Sequence, residues 1–361
     1  MEWKRARGGK APPALEDMVV PTLRLRDLVR AYTLRQHGMP LDVARFLVDG
    51  YAPLRVALRS YLGNGVRTYL TTDATGCEYL MQLVRRYERP EWDVTFVASA
   101  GGREGACRDW RPIIEQVVND TVHKGAYRLY AAFPEASPLP LFFQQNGFRP
   151  FTRERIYRAG GTFTRLSRDM PAQIRPRLPS DIWNFSRLWR RSTPALVVAV
   201  ESLPGNNSLD VPYHWSARPG QRVYVWEEDG ELLGAMVLRQ GRRAALMRLL
   251  LAPDADDEVG LGLIGWAVRL ASPRPEYPLY AVVRNYQLGE YALLVDVGFQ
   301  PYQEQTCLVR HLALPVGADE VVSSGLLSLL DIRGEAVYTQ SLEPLELTLG
   351  SHGARSLAGR G

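Results

Sequence analysis

Hydrophobic and polar positions alternate along the chain in two similar series of short strands and amphipathic helices. The second series has the clearer pattern, because an Asp229-Gly230 turn separates two strands and a long Gly/Pro/Asn/Ser-rich loop covers residues 202–220. Its predicted elements are a helix after Asp181, strands at 222–227, 232–240 and 245–252, a helix at 260–271, a strand at 279–283, a helix at 288–297 and a strand at 302–312.

The first series repeats the later part of this order. A glycine-rich loop at 101–108 precedes a helix at 110–124, whose apolar side chains form one stripe at helical spacing. The other predicted elements are a strand-like segment at 25–34, two short helices within 41–62, strands at 66–72, 79–86, 94–99 and 128–132, a helix at 138–146 and final strands from 148. In both halves the strand–helix–strand order predicts a parallel pair, 94–99 with 128–132 and 245–252 with 279–283.

The repeat predicts two domains, at residues 15–160 and 173–316, joined by a linker at 161–172. Residues 1–14 are polar and basic, and we expect them to be disordered. The tail at 317–361 ends in a Gly/Ser/Arg-rich segment and is expected to be partly disordered.

Composition agrees with a globular chain, since 46% of the residues are hydrophobic and 23% are charged. The net charge is +5, and all but three of the 44 basic residues are arginines. Arginine suits phosphate recognition, but these arginines are scattered among acids without a long basic run. Nucleic-acid binding is therefore not expected, although an arginine-rich nucleic-acid binder stays open as a third hypothesis.

The cysteine spacing and the hydropathy of the chain indicate in which cellular compartment it is expected. Cys77, Cys107 and Cys307 have no CxxC spacing, so neither a disulfide framework nor a zinc site is expected, and we expect no metal. No long apolar run predicts a membrane helix, and the N-terminus lacks the apolar core of a secretory signal. The expected location is the cytoplasm.

Each series ends on the same kind of junction. Gln144-Gln-Asn-Gly-Phe148-Arg-Pro-Phe and Asp296-Val-Gly-Phe299-Gln-Pro-Tyr each place Gly-Phe between a helix and a strand. This pattern resembles the GCN5-related N-acetyltransferases over roughly residues 25–157 and 173–314. The resemblance implies an α/β (α+β) chain of two tandem acyl-CoA N-acyltransferase-like domains, each a mixed, mostly antiparallel sheet flanked by helices. It also implies acetyl-CoA as co-substrate and an amine as acceptor.

In that family acetyl-CoA binds where two parallel strands separate, with its pyrophosphate at the start of the following helix. In the second half, Gly260, Leu261 and Gly262 fit the family's glycine spacing, but acids at 254–258 surround them. Like charges repel by roughly 1 kcal/mol at about 4 Å in water and by more near a protein. The alternative is that the two glycines only permit close packing of the helix.

The first half offers a more favourable charge but a poorer spacing. Its cofactor-binding candidates are Gly101, Gly102, Arg103, Gly105 and Arg108. The alternative is a flexible loop without a ligand. Because charge decides whether the approach of phosphates is favourable, we expect the first half to contribute more to CoA binding.

Catalytic candidates are few. The family often uses a tyrosine four residues before the closing glycine, and here those positions hold Phe143 and Leu294, which cannot transfer protons. Tyr291, one turn earlier, is the substitute candidate for a general acid, and Glu227 is the candidate general base. His214 has no partner at metal-ligand spacing and is expected to be structural.

The leading hypothesis is acyl-CoA-dependent N-acyltransfer to a small-molecule or protein amine. The alternative is a catalytically inactive tandem module that binds CoA, a small molecule or a protein partner. The missing tyrosines and the acidic loop favour this alternative.

Overall fold

The structure is a computed structural model of the whole chain. It describes residues 25–61, 65–101, 109–160, 163, 166, 171–203, 211–216, 218, 220–272 and 276–312. Contacts divide the chain into two units, Met1–Pro315 and Val316–Gly361, and the second unit lies outside the described residues. The predicted disorder of residues 1–14 and 317–361 falls outside them as well.

Along the first half, helices precede and interrupt a series of strands. Its elements are α1 (Leu25–Leu34), β1 (Gly38–Pro40), α2 (Val43–Asp49), α3 (Pro53–Tyr61), β2 (Val66–Thr72), β3 (Cys77–Arg85), β4 (Glu91–Gly101), α4 (Arg111–His123), β5 (Arg128–Pro134), α5 (Leu139–Gln145) and β6 (Arg149–Ala159). The second half repeats this order from β1 onward and has no counterpart of α1. Its elements are β7 (Ile174–Pro176), α6 (Ile182–Ser192), α7 (Ala195–Glu201), β8 (Gln221–Glu228), β9 (Glu231–Gln240), β10 (Ala245–Leu251), α8 (Asp257–Ala271), β11 (Leu279–Arg284), α9 (Leu288–Asp296) and β12 (Phe299–His311).

The strands of both halves form one sheet. Its order is β2-β3-β4-β5-β12-β6-β11-β10-β9-β8-β7, and β1 pairs with β4 beside this path. Neighbouring strands are antiparallel except for β4 with β5 and β10 with β11, which are parallel. The expected mixed, mostly antiparallel sheet flanked by helices and both expected parallel pairs are therefore confirmed.

The last strand of each half pairs with the other half. β12 lies between β5 and β6, and β6 lies between β12 and β11, all antiparallel. We expected a separate sheet in each half, whereas the exchanged strands join the two into one sheet. A local hydrophobic pattern cannot reveal this exchange, because both final strands have the same alternation and equivalent neighbours.

The junctions that carried the family resemblance have the expected geometry. Gly147 and Gly298 adopt positive φ angles of 83° and 102°, which end α5 and α9. Phe148 and Phe299 follow them and are buried in the two main hydrophobic clusters. Phe143 and Leu294, the positions of the family tyrosine, are also fully buried, so they pack the core.

Two further expectations from the sequence are wrong. Residues 25–34 form the helix α1 rather than a strand, because Ala31 and Leu34 together face the core at helical spacing. Cys77 is disulfide-bonded, although the cysteine spacing gave no sign of a disulfide. Cys307 is free and buried.

Candidate functional site

The parallel strands of the first half separate after a short paired stretch. Glu91–Val94 of β4 pairs with Arg128–Ala131 of β5, and the strands then diverge. Residues 38–42 fill the space that opens: β1 pairs with Phe96–Ala98 of β4. The Leu41 amide donates to the Thr95 carbonyl and the Asp42 amide to the Ala132 carbonyl, both at 2.9 Å. We call this filled space the first wedge.

Close packing fixes that segment in the first wedge. A Cβ on Gly38 would lie 2.3 Å from Cζ of Phe96 and 2.7 Å from Cβ of Ala98, so only glycine fits there. Leu41 is almost completely buried in the first-half core. The chain itself therefore satisfies strand groups that a ligand would otherwise meet.

The parallel strands of the second half separate in the same way. Ala245–Arg248 of β10 pairs with Leu279–Val282 of β11, and beyond them the strands part. We call this space the second wedge. Side chains span its inner end: Gln287 donates to the Leu249 carbonyl at 2.8 Å and accepts from the Arg284 amide at 2.9 Å.

A cleft of about 480 Å³ continues outward from the second wedge. The starts of α8 and α9 border it, through Asp256 and Asp257 on one side and Leu288 to Glu290 on the other. Its size lies within the usual range for small-molecule sites. The cleft is lined by Arg191, Ser192, Thr193, Pro194, Leu251, Ala252, Pro253, Ala255, Asp256, Asp257, Tyr286, Gln287, Leu288, Gly289, Glu290 and Leu293.

Glu290 is an acid in this cleft that the sequence analysis did not single out. Its Oε1 accepts from the Leu251 amide at 3.2 Å and from Nε2 of Gln287 at 3.0 Å. Burial raises the pKa of its carboxyl above the usual value. The only sequence signal was an acid in the first turn of an otherwise apolar helix, which ordinarily indicates a helix start.

Tyr286 lies between this cleft and the protein interior. It lines both the cleft and a small cavity behind it, and its hydroxyl accepts from Nη1 of Arg284 at 3.1 Å. Burial raises the pKa of the phenol, although Arg284 acts in the opposite direction. Tyr286 therefore carries a proton at neutral pH at the wall of the cleft.

The catalytic candidates from the sequence lie elsewhere. Glu227 forms an ion pair with Arg175 at 2.5 Å, on the β7–β8 edge of the sheet. Tyr291 is partly exposed and packs against Tyr157, with 5.7 Å between ring centroids. Neither residue lines the cleft.

The glycines of α8 serve packing. A Cβ on Gly260 would lie 2.3 Å from Cδ1 of Leu293, and one on Gly262 would lie 2.5 Å from Cζ3 of Trp226. Leu261 packs against the second-half core. These contacts favour the alternative of close helix packing, since none of the three residues lines the cleft.

The candidates of the first-half loop are mostly outside the described residues. Gly101 ends β4 with a φ of 89°. Gly102, Arg103, Gly105 and Arg108 all lie in the undescribed segment 102–108, so their proposed role stays a prediction.

Behind the second wedge lies a group of small polar cavities of about 70, 40 and 20 Å³, which we call the chamber. His214 and Arg248 line all three. The smallest cavity shares Thr193, Tyr286 and Gln287 with the cleft, so these side chains separate the chamber from the cleft.

Known proteins resemble this chain in structure rather than in sequence. No family model matches the sequence, and no curated protein matches it detectably. The chain is similar in structure to GCN5-related N-acetyltransferases. The one from Sphaerobacter thermophilus has a TM-score of 0.44 and 11% identity, with 78% of this chain and 98% of that chain covered.

Two further structures show the same likeness. A tandem GNAT protein from the clavulanic acid biosynthesis pathway has a TM-score of 0.37 and 13% identity, covering 77% of this chain and 98% of that chain. The GCN5-related N-acetyltransferase from Kribbella flavida has a TM-score of 0.37 and 11% identity, covering 74% and 95%.

The described ranges contain neither a membrane-spanning helix nor a metal-binding cluster. No helix there is long and apolar enough to cross a bilayer. Nor do three or more His, Cys, Asp or Glu side chains in those ranges lie together as metal ligands would.

Proposed function

We propose that this chain is an acyl-CoA-dependent N-acyltransferase whose donor site is the cleft of the second wedge. One observation carries the proposal: β10 and β11 separate into a cleft of about 480 Å³ between two helix starts. The first wedge has the same arrangement of parallel strands, but residues 38–42 fill it. A single donor site in the second half follows from that difference.

The residues of the cleft suit different parts of the donor. Apolar side chains of Leu251 and Leu293 offer contacts to an acyl chain or pantetheine arm. Arg191 is the basic group at the outer end, where it already pairs with Asp254 at 3.0 Å. Asp256 and Asp257 oppose phosphates there, so we expect binding of moderate strength that improves when the two acids are neutralised.

The proton transfers can be assigned to two side chains. The thioester supplies an activated acyl carbon to the attacking amine. Glu290, with its raised pKa, accepts the proton that the amine nitrogen loses. Tyr286 donates its hydroxyl proton to the departing thiolate, because it is the protonated phenol at the cleft wall. The Leu251 amide, once Glu290 has released it, donates to the acyl oxygen and stabilises the negative charge that develops there as the amine attacks.

The alternative function is a catalytically inactive module that binds CoA or another ligand. A specific observation favours it: Gln287 and Glu290 already satisfy the Leu249 carbonyl and the Leu251 amide. A donor must displace both contacts, which costs the energy of two buried hydrogen bonds before any new ones form.

Calorimetric titration with acetyl-CoA, together with a thiol-release assay over a panel of amines, tests both functions. Acetyl-CoA at about a hundred times its dissociation constant should stabilise the fold by roughly 2.7 kcal/mol. Binding with amine-dependent thiol release supports the transferase. Binding without thiol release supports the inactive module. Absence of acetyl-CoA binding overturns the transferase and leaves only a module for a ligand other than CoA.

A further inference from the structure

The chamber behind the second wedge contains more buried charge than a packed core needs. Three of its arginines have carboxylate partners: Arg86 with Asp93 at 2.8 Å, Arg248 with Glu154 at 2.8 Å, and Arg284 with Glu201. Burial raises the pKa of Glu154, but Arg248 and Arg284 outweigh that effect and hold it at about 2. These pairs are internally matched and have no charge to spare for a ligand.

Arg218 lines the largest cavity of the chamber and forms no ion pair with a carboxylate in the described ranges. Of the other arginines of that cavity, Arg239 pairs with Asp49, and Arg45 also forms no ion pair there. The Arg218 guanidinium stacks on the Tyr213 ring at 3.9 Å and donates to Oε1 of Gln221 at 2.7 Å, which is a neutral acceptor. Its Nε is buried without a hydrogen-bond partner, and no carboxylate in the described ranges forms an ion pair with it. Burial lowers the pKa of Arg218 and outweighs the opposite effects of Tyr213 and Asp93. Asp93 is the ion-pair partner of Arg86 and forms no ion pair with Arg218.

His214 meets the same excess of positive charge. Its imidazole lines every cavity of the chamber and has no side-chain hydrogen bond to any residue that the structure describes. Burial holds its pKa well below the usual value, and four arginines reinforce the effect. The arginines are Arg248, Arg86, Arg284 and Arg218.

The acids and phenols of the chamber do not cancel this field. Burial raises the pKa of Asp42, and Asp93 and Glu154 raise it further, which favours the neutral carboxyl. Tyr130, Tyr213, Tyr286 and Cys307 also line the chamber, and burial raises the pKa of Tyr130, Tyr286 and Cys307. Arg45 and Arg239 add further positive charge to the largest cavity. The Arg218 guanidinium and the His214 imidazole therefore face a space with room for a few water-sized groups, and the imidazole is free to form a hydrogen bond there.

We infer that the chamber binds the anionic group of the acceptor, so that the acceptor is a small amine bearing a carboxylate or a phosphate. Arg218 offers the charge-assisted hydrogen bonds that planar oxyanions prefer. His214 adds a donor or an acceptor according to its protonation. The shared wall of Thr193, Tyr286 and Gln287 then lies between the anion and the donor cleft, where the amine must react. Naming the ligand an acceptor rests on the proposed function, whereas anion binding itself does not.

The test is calorimetric titration without any CoA, at constant ionic strength, with inorganic phosphate, propionate and β-alanine as probes. Arg218→Gln removes the charge but keeps a hydrogen-bond donor, and Arg222→Gln, an exposed arginine on β8, is the matched control. We expect the wild-type chain to bind at least one anion, Arg218→Gln to lose about tenfold or more in affinity, and Arg222→Gln to keep it. Tighter binding of β-alanine than of propionate identifies an amine-bearing acceptor, and the reverse order indicates a site for free anions.

His214→Gln provides a second measurement in case Arg218→Gln fails to fold. A bound anion should raise the pKa of His214 from its lowered value. Wild-type affinity for propionate should therefore increase as the pH falls below 6.5, and His214→Gln should lose that dependence. Absence of anion binding in the wild-type chain, or equal affinity in the Arg218 and Arg222 variants, overturns the inference. Acetyl-CoA binding without anion binding leaves the proposed function intact, and anion binding without acetyl-CoA binding removes only the transferase.

Discussion

The two wedges have the same strand arrangement and opposite contents. In both halves a parallel pair separates after four residues on each strand. In the first half the chain's own segment 38–42 donates backbone amides to both strands. In the second half the side chains of Gln287, Glu290 and Ser192 reach the β10 backbone, and a cleft remains outside them.

This difference shows that two separated parallel strands are not sufficient for a binding site, because the freed backbone groups must also be accessible to a ligand. Separated parallel strands leave backbone groups without partners, and buried groups of that kind must be satisfied. A main-chain segment does so permanently, because Gly38 and Leu41 are packed into the core. A glutamine and a glutamate can rotate away at the cost of a few hydrogen bonds, so only the second wedge can exchange its contacts for a ligand.

The largest expected effect is that of replacing Glu290, the proposed general base of the second wedge. Glu290→Gln keeps an oxygen that can accept from the Leu251 amide but removes the group that accepts a proton. We expect the rate of acyl transfer to fall by about 10²–10⁴-fold, the usual contribution of a general base. Acetyl-CoA affinity should change much less, because the side-chain shape is conserved.

Steady-state thiol release and calorimetry on the same preparation separate the two effects. The control is Glu135→Gln, which removes an exposed carboxylate just after β5 in the first half. A loss below tenfold in Glu290→Gln would contradict the assignment of this base.

Filling the cleft tests whether the second wedge holds the donor. Gly289 lines the cleft and does not adopt a positive φ, and a Cβ added to it would have no heavy atom within 4 Å, so a larger side chain is tolerated. Gly289→Trp should lower acetyl-CoA affinity by at least about a hundredfold, equivalent to roughly 2.7 kcal/mol, because the indole occupies the ligand's space.

The matched control for that substitution is Leu141→Trp, at an exposed position of α5 in the first half. Calorimetric titration should give it wild-type affinity for acetyl-CoA. Weak binding by the Leu141 variant, with full affinity in Gly289→Trp, would move the donor to the first half.

A difference in pH dependence is expected from His311, which lies beside Arg128 at the start of β5. Burial lowers its pKa to about 4, and Arg128 contributes. The unfolded chain therefore binds a proton on His311 at higher pH than the folded chain does. Stability should fall as the pH decreases from about 6.5 to about 4, by on the order of 2–3 kcal/mol from this residue.

Chemical denaturation at pH 7.5, 5.5 and 4.5 measures that loss. His311→Gln should flatten the profile, while His123→Gln, on the exposed side of α4, should not. An unchanged profile in His311→Gln would show that this imidazole is not the group that titrates.

Much of the fold was predictable because its signals are local. The turn at Asp229-Gly230, the glycines that end α5 and α9, and the strand–helix–strand order all depend on nearby residues. The strand exchange and the filling of the first wedge by residues 38–42 were missed, since they depend on contacts distant in sequence. The helix α1 was missed although the spacing of Ala31 and Leu34 is a local signal. Of the site, the second wedge was predictable, but Glu290, Tyr286 and Arg218 were not, because their roles arise from burial and missing partners.

The smallest expected effect tests whether charge or the open cleft determines which half of the chain binds CoA. The charges of Arg103 and Arg108 predicted that CoA binds in the first half. The open cleft favours binding in the second half, although Asp256 and Asp257 line it. Neutralising both acids by Asp256→Asn and Asp257→Asn should improve acetyl-CoA affinity by about fivefold at low salt, since each removes a repulsion of up to roughly 1 kcal/mol in water. Added salt should reduce the gain, because the acids at the cleft mouth are exposed and screened.

Replacing Arg103 and Arg108 with glutamate should leave acetyl-CoA affinity unchanged if the open cleft determines where CoA binds. A loss of at least tenfold in the arginine double mutant, with no gain in the aspartate one, would show that charge decides and that the first half holds CoA.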